Sequence, residues 1–162
     1  MKFGILTISD RVSTGVYADR SGPEAERLLR ALLEAEAEVE RQVVPDEFDR
    51  IVAALTDLCD ERHCQLVVTT GGTGLFPRDI TPEATLTVLD KELPGFGERM
   101  RTASTHPAAL LSRALAGVRG DSLILNLPGN PRAVNECLPL VAPALRAALE
   151  HLRAGSSEAA HE

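Results

Sequence analysis

The sequence predicts an α/β domain: one three-layer unit with a mostly parallel sheet, helices on both faces and one antiparallel hairpin strand. Two observations carry this. Apolar runs at Lys2–Ile8, Leu66–Thr70 and Ser122–Leu127 are each followed by a polar, mostly glycine- or proline-containing loop and then a helical pattern, which is the alternation of βα units. Between the short runs Leu115–Arg119 and Ser122–Leu127 stands Gly120-Asp121, a hairpin turn signal.

Each element follows from its local chemistry. Lys2–Ile8 reads as a buried strand, and residues 9–22 as a polar loop. From Pro23 to about Glu36, Leu28, Leu29, Leu32 and Leu33 recur at helical spacing, with Ser21 or Gly22 able to cap the start. Val39–Val44 alternates apolar and charged residues, the pattern of an edge strand ended by Pro45. A second helix runs from about Glu47 to Arg62, with Ile51, Leu55 and Leu58 on one face. After the buried strand Leu66–Thr70 comes Gly71 to Thr81, then a helix from Pro82 to Leu89. Pro94-Gly95-Phe96-Gly97 reads as a break before a helical piece at Glu98–Ala103, and Pro107–Leu111 as a short helix. Val134–Leu152 is a long amphipathic helix in which Pro139 and Pro143 predict a kink or restart. Residues 1–153 form the domain, and residues 154–162 read as a disordered tail.

Bulk properties bound the function. The chain has 162 residues, 44% hydrophobic and 25% charged, with a net charge of -7. That balance argues against nucleic-acid partners, which need a basic footprint. It leaves a small phosphate ligand open, since that needs only local positive potential. The 3 cysteines, Cys59, Cys64 and Cys137, form no Cys-x-x-Cys pair, so reduced thiols are expected rather than zinc. The opening MKFGILTIS is too short and too quickly polar for a signal peptide, and no apolar run reaches membrane-spanning length. The expectation is a cytoplasmic protein with no membrane partner.

In an open α/β sheet, ligands bind beyond the carboxyl ends of the strands. Four polar loops there should converge on one rim: Ser9–Ser21, Pro45-Asp46, Gly71–Thr81 and Pro128–Pro131. In TTGGTGLFPRDITPEAT, Gly71, Gly72 and Gly74 allow positive φ and close backbone approach. With Thr73 they form either a plain strand-to-helix turn or an anion-binding nest, and Thr81 and Pro82 have the form of an N-cap and a first helical residue. Arg78 and Asp79 form either a solvated pair or a phosphate contact and a Mg²⁺ ligand. Asp46 is either a helix cap or a second carboxylate for a metal bridging phosphate oxygens. Ser9 and Asp10 close the first strand and are candidate phosphate or sugar contacts. Pro128, Gly129 and Asn130, with Pro131, give a turn or a second set of free N–H groups at a helix start. The four histidines are scattered and support no triad.

Taken together, TISDRVSTGVYADRSGP, VVPDE, TTGGTGLFPRDITPEAT, LPGFGERMR and ILNLPGNPRAVNECL resemble the molybdopterin adenylyltransferases of molybdenum cofactor biosynthesis, relatives of the gephyrin G domain. The matches keep family order and reach about Leu152. The resemblance implies a homotrimer of α/β subunits and ATP with Mg²⁺ and molybdopterin as substrates. The products are adenylylated molybdopterin and pyrophosphate, and the downstream molybdenum-insertion protein is a partner. It places the family's two essential acids on Asp46 and Asp79 and its glycine loop on Gly71, Gly72, Thr73 and Gly74. Gly120-Asp121 departs from relatives that often carry a hydroxyl residue at that turn. A non-catalytic molybdopterin-binding or scaffolding module of the same fold is the alternative function.

Overall fold

In the computed structural model, which describes residues 1–34 and 36–159, six strands form one sheet in the order β2-β1-β3-β6-β5-β4. The strands are β1 (Lys2–Ile8), β2 (Glu38–Val44), β3 (Leu66–Thr70), β4 (Lys91–Glu92), β5 (Ala116–Arg119) and β6 (Ser122–Leu127). β2, β1, β3 and β6 run parallel; β5 and β4 return antiparallel. Gly120 turns the β5–β6 hairpin at φ +52. Val39–Val44 was expected at an edge and lies there, in β2. The two-residue β4 is too short to leave a periodic signal, and the sequence does not announce it.

Side chains alternate across the sheet, so the strands feed two cores. Phe3, Ile5, Leu66, Val68, Leu123, Leu125 and Leu127 face α2 (Ser21–Leu33), α5 (Pro94–Ala103) and α6 (Pro131–Ala159). Leu6, Ile8, Val67 and Ile124 face α3 (Phe48–Thr56), its π-helical extension Asp57–Glu61, and α4 (Thr81–Val88). The remaining short helices are α1 (Asp10–Ser13) and a 3₁₀ turn at Pro107–Leu111. Among the described residues no helix is long and apolar enough to cross a membrane.

Register aligns the carboxyl ends. Thr7 pairs with Val43 on one side and Thr70 on the other, and Thr70 pairs with Leu127. The loops after β1, β2, β3 and β6 therefore leave the sheet at one level.

Several local expectations change. Pro94 does not break the chain; it opens α5, because a proline in the first helical turn gives up an N–H that had no partner there. α6 passes through Pro139 and Pro143 as one helix. Both prolines are exposed while Leu138, Val141, Ala142 and Leu145 are buried, so the carbonyls they leave unpaired lie on the solvent side. The tail expected to be disordered from residue 154 is helical to Ala159. The Ser157 hydroxyl donates to Arg153 O, and the single Ser156 hydroxyl proton lies within reach of both Leu152 O and the Asp121 carboxylate at the hairpin turn. Residues 160–162 lie outside the described residues.

Candidate active site

The four rim loops do meet. Behind β1, Asp10 and Asp46 exchange hydrogen bonds: the Asp10 N–H donates to Asp46 Oδ2 at 2.9 Å, and the Asp46 N–H donates to Asp10 Oδ1 at 3.0 Å. Arg78 reaches over from the glycine loop and donates to both Asp10 oxygens, at 2.5 and 2.9 Å. Three segments, distant in sequence, are thereby tied together. Asp46 is not a helix cap. The N-cap of α3 is Glu47, and it makes no side-chain cap. Ser9 caps α1 by accepting from the Val12 N–H at 3.3 Å. Its role in the structure is local.

Electrostatics separates the two acids. Hydrogen bonds from Arg78 hold the Asp10 carboxyl below the usual range. Burial pushes the Asp46 carboxyl up, and the nearby charges of Asp10 and Asp79 add to that. Negative charge is concentrated here beyond what one arginine offsets, which is the setting a cation would relieve. The donors are hard oxygens, and Asp46 Oδ1 makes no hydrogen bond among the described residues. Among those residues no three His, Cys, Asp or Glu side chains gather into a metal cage. The set fits Mg²⁺, which takes one or two carboxylates and completes its shell with water and phosphate oxygens.

The glycine loop is shaped by consecutive positive φ at Gly71 (+99) and Gly72 (+67). A Cβ at Gly71 would strike the Ile8 carbonyl, and one at Gly72 the Thr81 hydroxyl. These glycines are thus required by protein contacts, where the sequence suggested room for a ligand. Thr81 does not cap α4; Ile80 occupies that position. Instead the Thr81 hydroxyl donates to Gly71 O at 2.9 Å and its N–H to Gly72 O at 3.1 Å. The next carbonyls go to Arg113. Its N–H donates to Thr73 O at 2.9 Å, Nε to Gly74 O at 2.8 Å and Nη2 to Asp79 O at 2.6 Å, while Nη1 pairs with Glu83. A trans peptide points its C=O and the following N–H in opposite directions. With four successive carbonyls turned inward, the N–H groups of Gly72, Thr73, Gly74 and Leu75 are left without a hydrogen bond among the described residues. Asp79 folds back over the loop and accepts from the Phe76 N–H at 2.9 Å.

On the far side of the loop from Asp10 and Asp46 lies a cavity of about 790 Å³. Thr73, Gly74, Leu75 and Phe76 form one wall; α5, the 3₁₀ turn and the start of α6 form the others. Pro128 and Asn130 line it, and Asn130 caps α6 by accepting from the Arg132 N–H at 2.8 Å. Gly129 packs against Gly71, since a Cβ there would lie 3.0 Å from the Gly71 Cα. Arg113 is the residue that sequence reasoning missed. It sits 39 positions from Gly74 in a segment with no motif of its own, and only the fold brings it to the loop.

The fold and the rim define an α/β protein that sets unpaired loop N–H groups, among the described residues, and carboxylates together at the carboxyl ends of parallel strands. The chain belongs to the probable molybdopterin binding domain family, which matches residues 4–147. It is 52% identical over 144 residues to the molybdopterin adenylyltransferase of Helicobacter pylori J99, covering 88% of this chain and 82% of that one. It is 49% identical over 140 residues to the Escherichia coli K12 protein of the same name, covering 85% and 72%. The crystal structure of the molybdopterin biosynthesis enzyme MoaB from Thermus thermophilus superposes with a TM-score of 0.86 at 43% identity, over 93% of this chain and 95% of that one.

Proposed function

We propose that the chain is a molybdopterin adenylyltransferase, transferring AMP from ATP to the terminal phosphate of molybdopterin in molybdenum cofactor biosynthesis. The observation that carries this is the run of four free N–H groups, Gly72 to Leu75, between the Asp46–Asp79 carboxylates and a cavity large enough for a heterocyclic substrate. The attacking oxygen belongs to a phosphate that is already ionised near neutral pH, so no general base is required, in keeping with the absence of a triad in the sequence. A bond forms from that oxygen to the α-phosphorus of ATP; the bond to the bridging oxygen breaks; pyrophosphate leaves with the electron pair. The loop N–H groups orient the phosphates and stabilise the charge that builds on the departing group. Asp46 and Asp79 would hold Mg²⁺, which when bound screens the like-charged phosphates. Arg78, paired with Asp10 across the mouth, adds a fixed positive charge at the loop.

The same reading includes a homotrimer. An apolar groove of about 410 Å³ between α5 and α6, bordered by Leu93, Phe96, Leu140 and Ala144, is a surface such an assembly could cover. Along α6, Ala142 is in the core while Ala144 and Ala147 are exposed. The three free, buried cysteines suit the reducing cytoplasm, and adenylylated molybdopterin would pass to the downstream molybdenum-insertion protein. The deciding experiment incubates the purified chain with molybdopterin, ATP and Mg²⁺ and measures adenylylated product and pyrophosphate together. Binding of both substrates without product would identify a scaffolding module instead.

A further inference from the structure

The glycine loop is held from two sides by two residues. Thr81 takes the carbonyls of Gly71 and Gly72; Arg113 takes those of Thr73, Gly74 and Asp79. The first half is also fixed by φ and by collisions that only glycine avoids. The second half is held differently: Gly74 does not adopt positive φ, Leu75 and Phe76 are 65% and 80% exposed, and Asp79 closes the turn through two hydrogen bonds with Phe76. Its other brace is the Arg113 guanidinium, on Gly74 O and Asp79 O. Arg113 is itself braced. Arg101 of α5 donates to Ser112 O at 3.3 Å and to Ala114 O at 2.8 Å, gripping the chain on both sides of Arg113. Glu83 in the first turn of α4 holds its remaining arm.

We infer that Arg113 is a positioning residue for the phosphates: its guanidinium, by holding the carbonyls of Gly74 and Asp79, aims the Leu75 N–H and the Asp79 carboxylate at the bound anion, while its main-chain N–H holds Thr73 O. The reason is geometric. Each carbonyl that Arg113 draws inward forces the following N–H outward. A guanidinium suits the task because its planar fork carries five donors and can hold several acceptors at once, where an ammonium is a point charge. Arg113 thus acts through the backbone.

This inference rests on the adenylyl-transfer reading for its substrate and is tested in a way that separates the two. Pyrophosphate binding by calorimetry and initial rates with ATP and molybdopterin are measured for the intact protein, Arg113→Lys and Arg113→Ala. Pyrophosphate affinity should fall at least about tenfold in Arg113→Ala and less in Arg113→Lys, with the KM for ATP rising in the same order. Added ethylguanidinium should restore part of the affinity of Arg113→Ala, which a purely structural loss would not allow. Should Arg113→Ala fail to fold, weakened affinity in Arg113→Lys supports the role and unchanged affinity refutes it. Unaltered pyrophosphate affinity and KM in the variants, or no pyrophosphate binding by the intact protein, overturns the inference. If the intact protein binds pyrophosphate through Arg113 yet makes no adenylylated product, the inference stands and the adenylyl-transfer reading falls.

Discussion

The glycine loop divides the rim into two unlike regions. Toward β1 and β2 the surface is made of charge: Asp10, Asp46 and Arg78, tied by short hydrogen bonds. Toward β6 and β5 it is a cavity with a largely apolar wall, from Leu75 and Phe76 across Met100 and Leu111 to Cys137. The first region resembles a place for reacting phosphates and the second a place for a bulky organic group. On the adenylyl-transfer reading, chemistry belongs to the first side and recognition to the second, and each variant breaks or keeps that division.

The largest expected effect is on the charged side. Asp79→Asn should lower turnover by about 10²–10³-fold, the scale of losing a main electrostatic stabiliser. The amide oxygen can still accept from the Phe76 N–H, so the loop and molybdopterin binding should persist. Steady-state product formation beside molybdopterin titration checks both halves. Wild-type turnover would remove Asp79 from the mechanism.

Asp46→Asn should also lose turnover, by at least about 100-fold on the same grounds, but with a stability signature of opposite sign. Burial and the charges of Asp10 and Asp79 raise the Asp46 carboxyl in the folded protein above its ordinary 3.8. The folded state therefore holds that proton more tightly than the unfolded chain. Ionisation, as pH rises from the ordinary value through the raised one, removes stability, and above the raised value the loss is complete. Asparagine cannot ionise. The ligand-free variant should melt higher than wild type at pH 7, with the gap closing as pH falls through the raised value. A variant that melts lower at pH 7 would show that the Asp46 charge supports the fold.

The charged side was legible in sequence because its residues sit in contiguous motifs: Ser9-Asp10, Pro45-Asp46 and Gly71 to Asp79. Turn chemistry and strand ends act over a few residues, and the eye can follow them. The cavity side was legible only in part, through Thr73, Gly74, Pro128 and Asn130. Its arginines, Arg101 and Arg113, bond backbone carbonyls far along the chain, and no residue type advertises such a partner. The same limit explains β4, two residues long, and the helical tail, whose serines look like linker until Asp121 is placed beside Ser156. The central parallel strands β1, β3 and β6 were readable because burial on both faces leaves nearly unbroken apolar runs, while β2 showed the alternation of an edge.

Gly72→Ala tests how far the loop itself belongs to the protein. If Gly72 served only a ligand's close approach, an added methyl would spare stability. With φ at +67 and the Thr81 hydroxyl in the way, the strain falls inside the fold, and a loss of about 1–3 kcal/mol is expected. Phosphate affinity should fall with it, because Thr81 must move and Gly71 O loses its donor. Thermal unfolding at matched pH reads the first effect and pyrophosphate calorimetry the second. Unchanged melting would mean the loop tolerates the shift and is less rigid than its hydrogen bonds imply.

The smallest effect should come from the thiol on the cavity wall. Cys137 lines the cavity, and a thiol there invites a covalent role. Its surroundings argue otherwise. Burial pushes it up to about 11, and the nearby charge acting on it, that of Glu136, raises it further. At pH 7 the thiolate is then on the order of 1 in 10⁴, far from the activated thiols that sit beside cations or helix N-termini. Cys137→Ala removes one heavy atom from the wall and should cost about 1 kcal/mol of stability with turnover essentially unchanged. In the native protein, thiol reagents at neutral pH should modify Cys137 far more slowly than in the unfolded chain, and bound molybdopterin should slow that further. A tenfold or larger loss of turnover in Cys137→Ala, with melting little altered, would put chemistry on the cavity side, and the division of the rim into a reacting half and a recognising half would have to be abandoned.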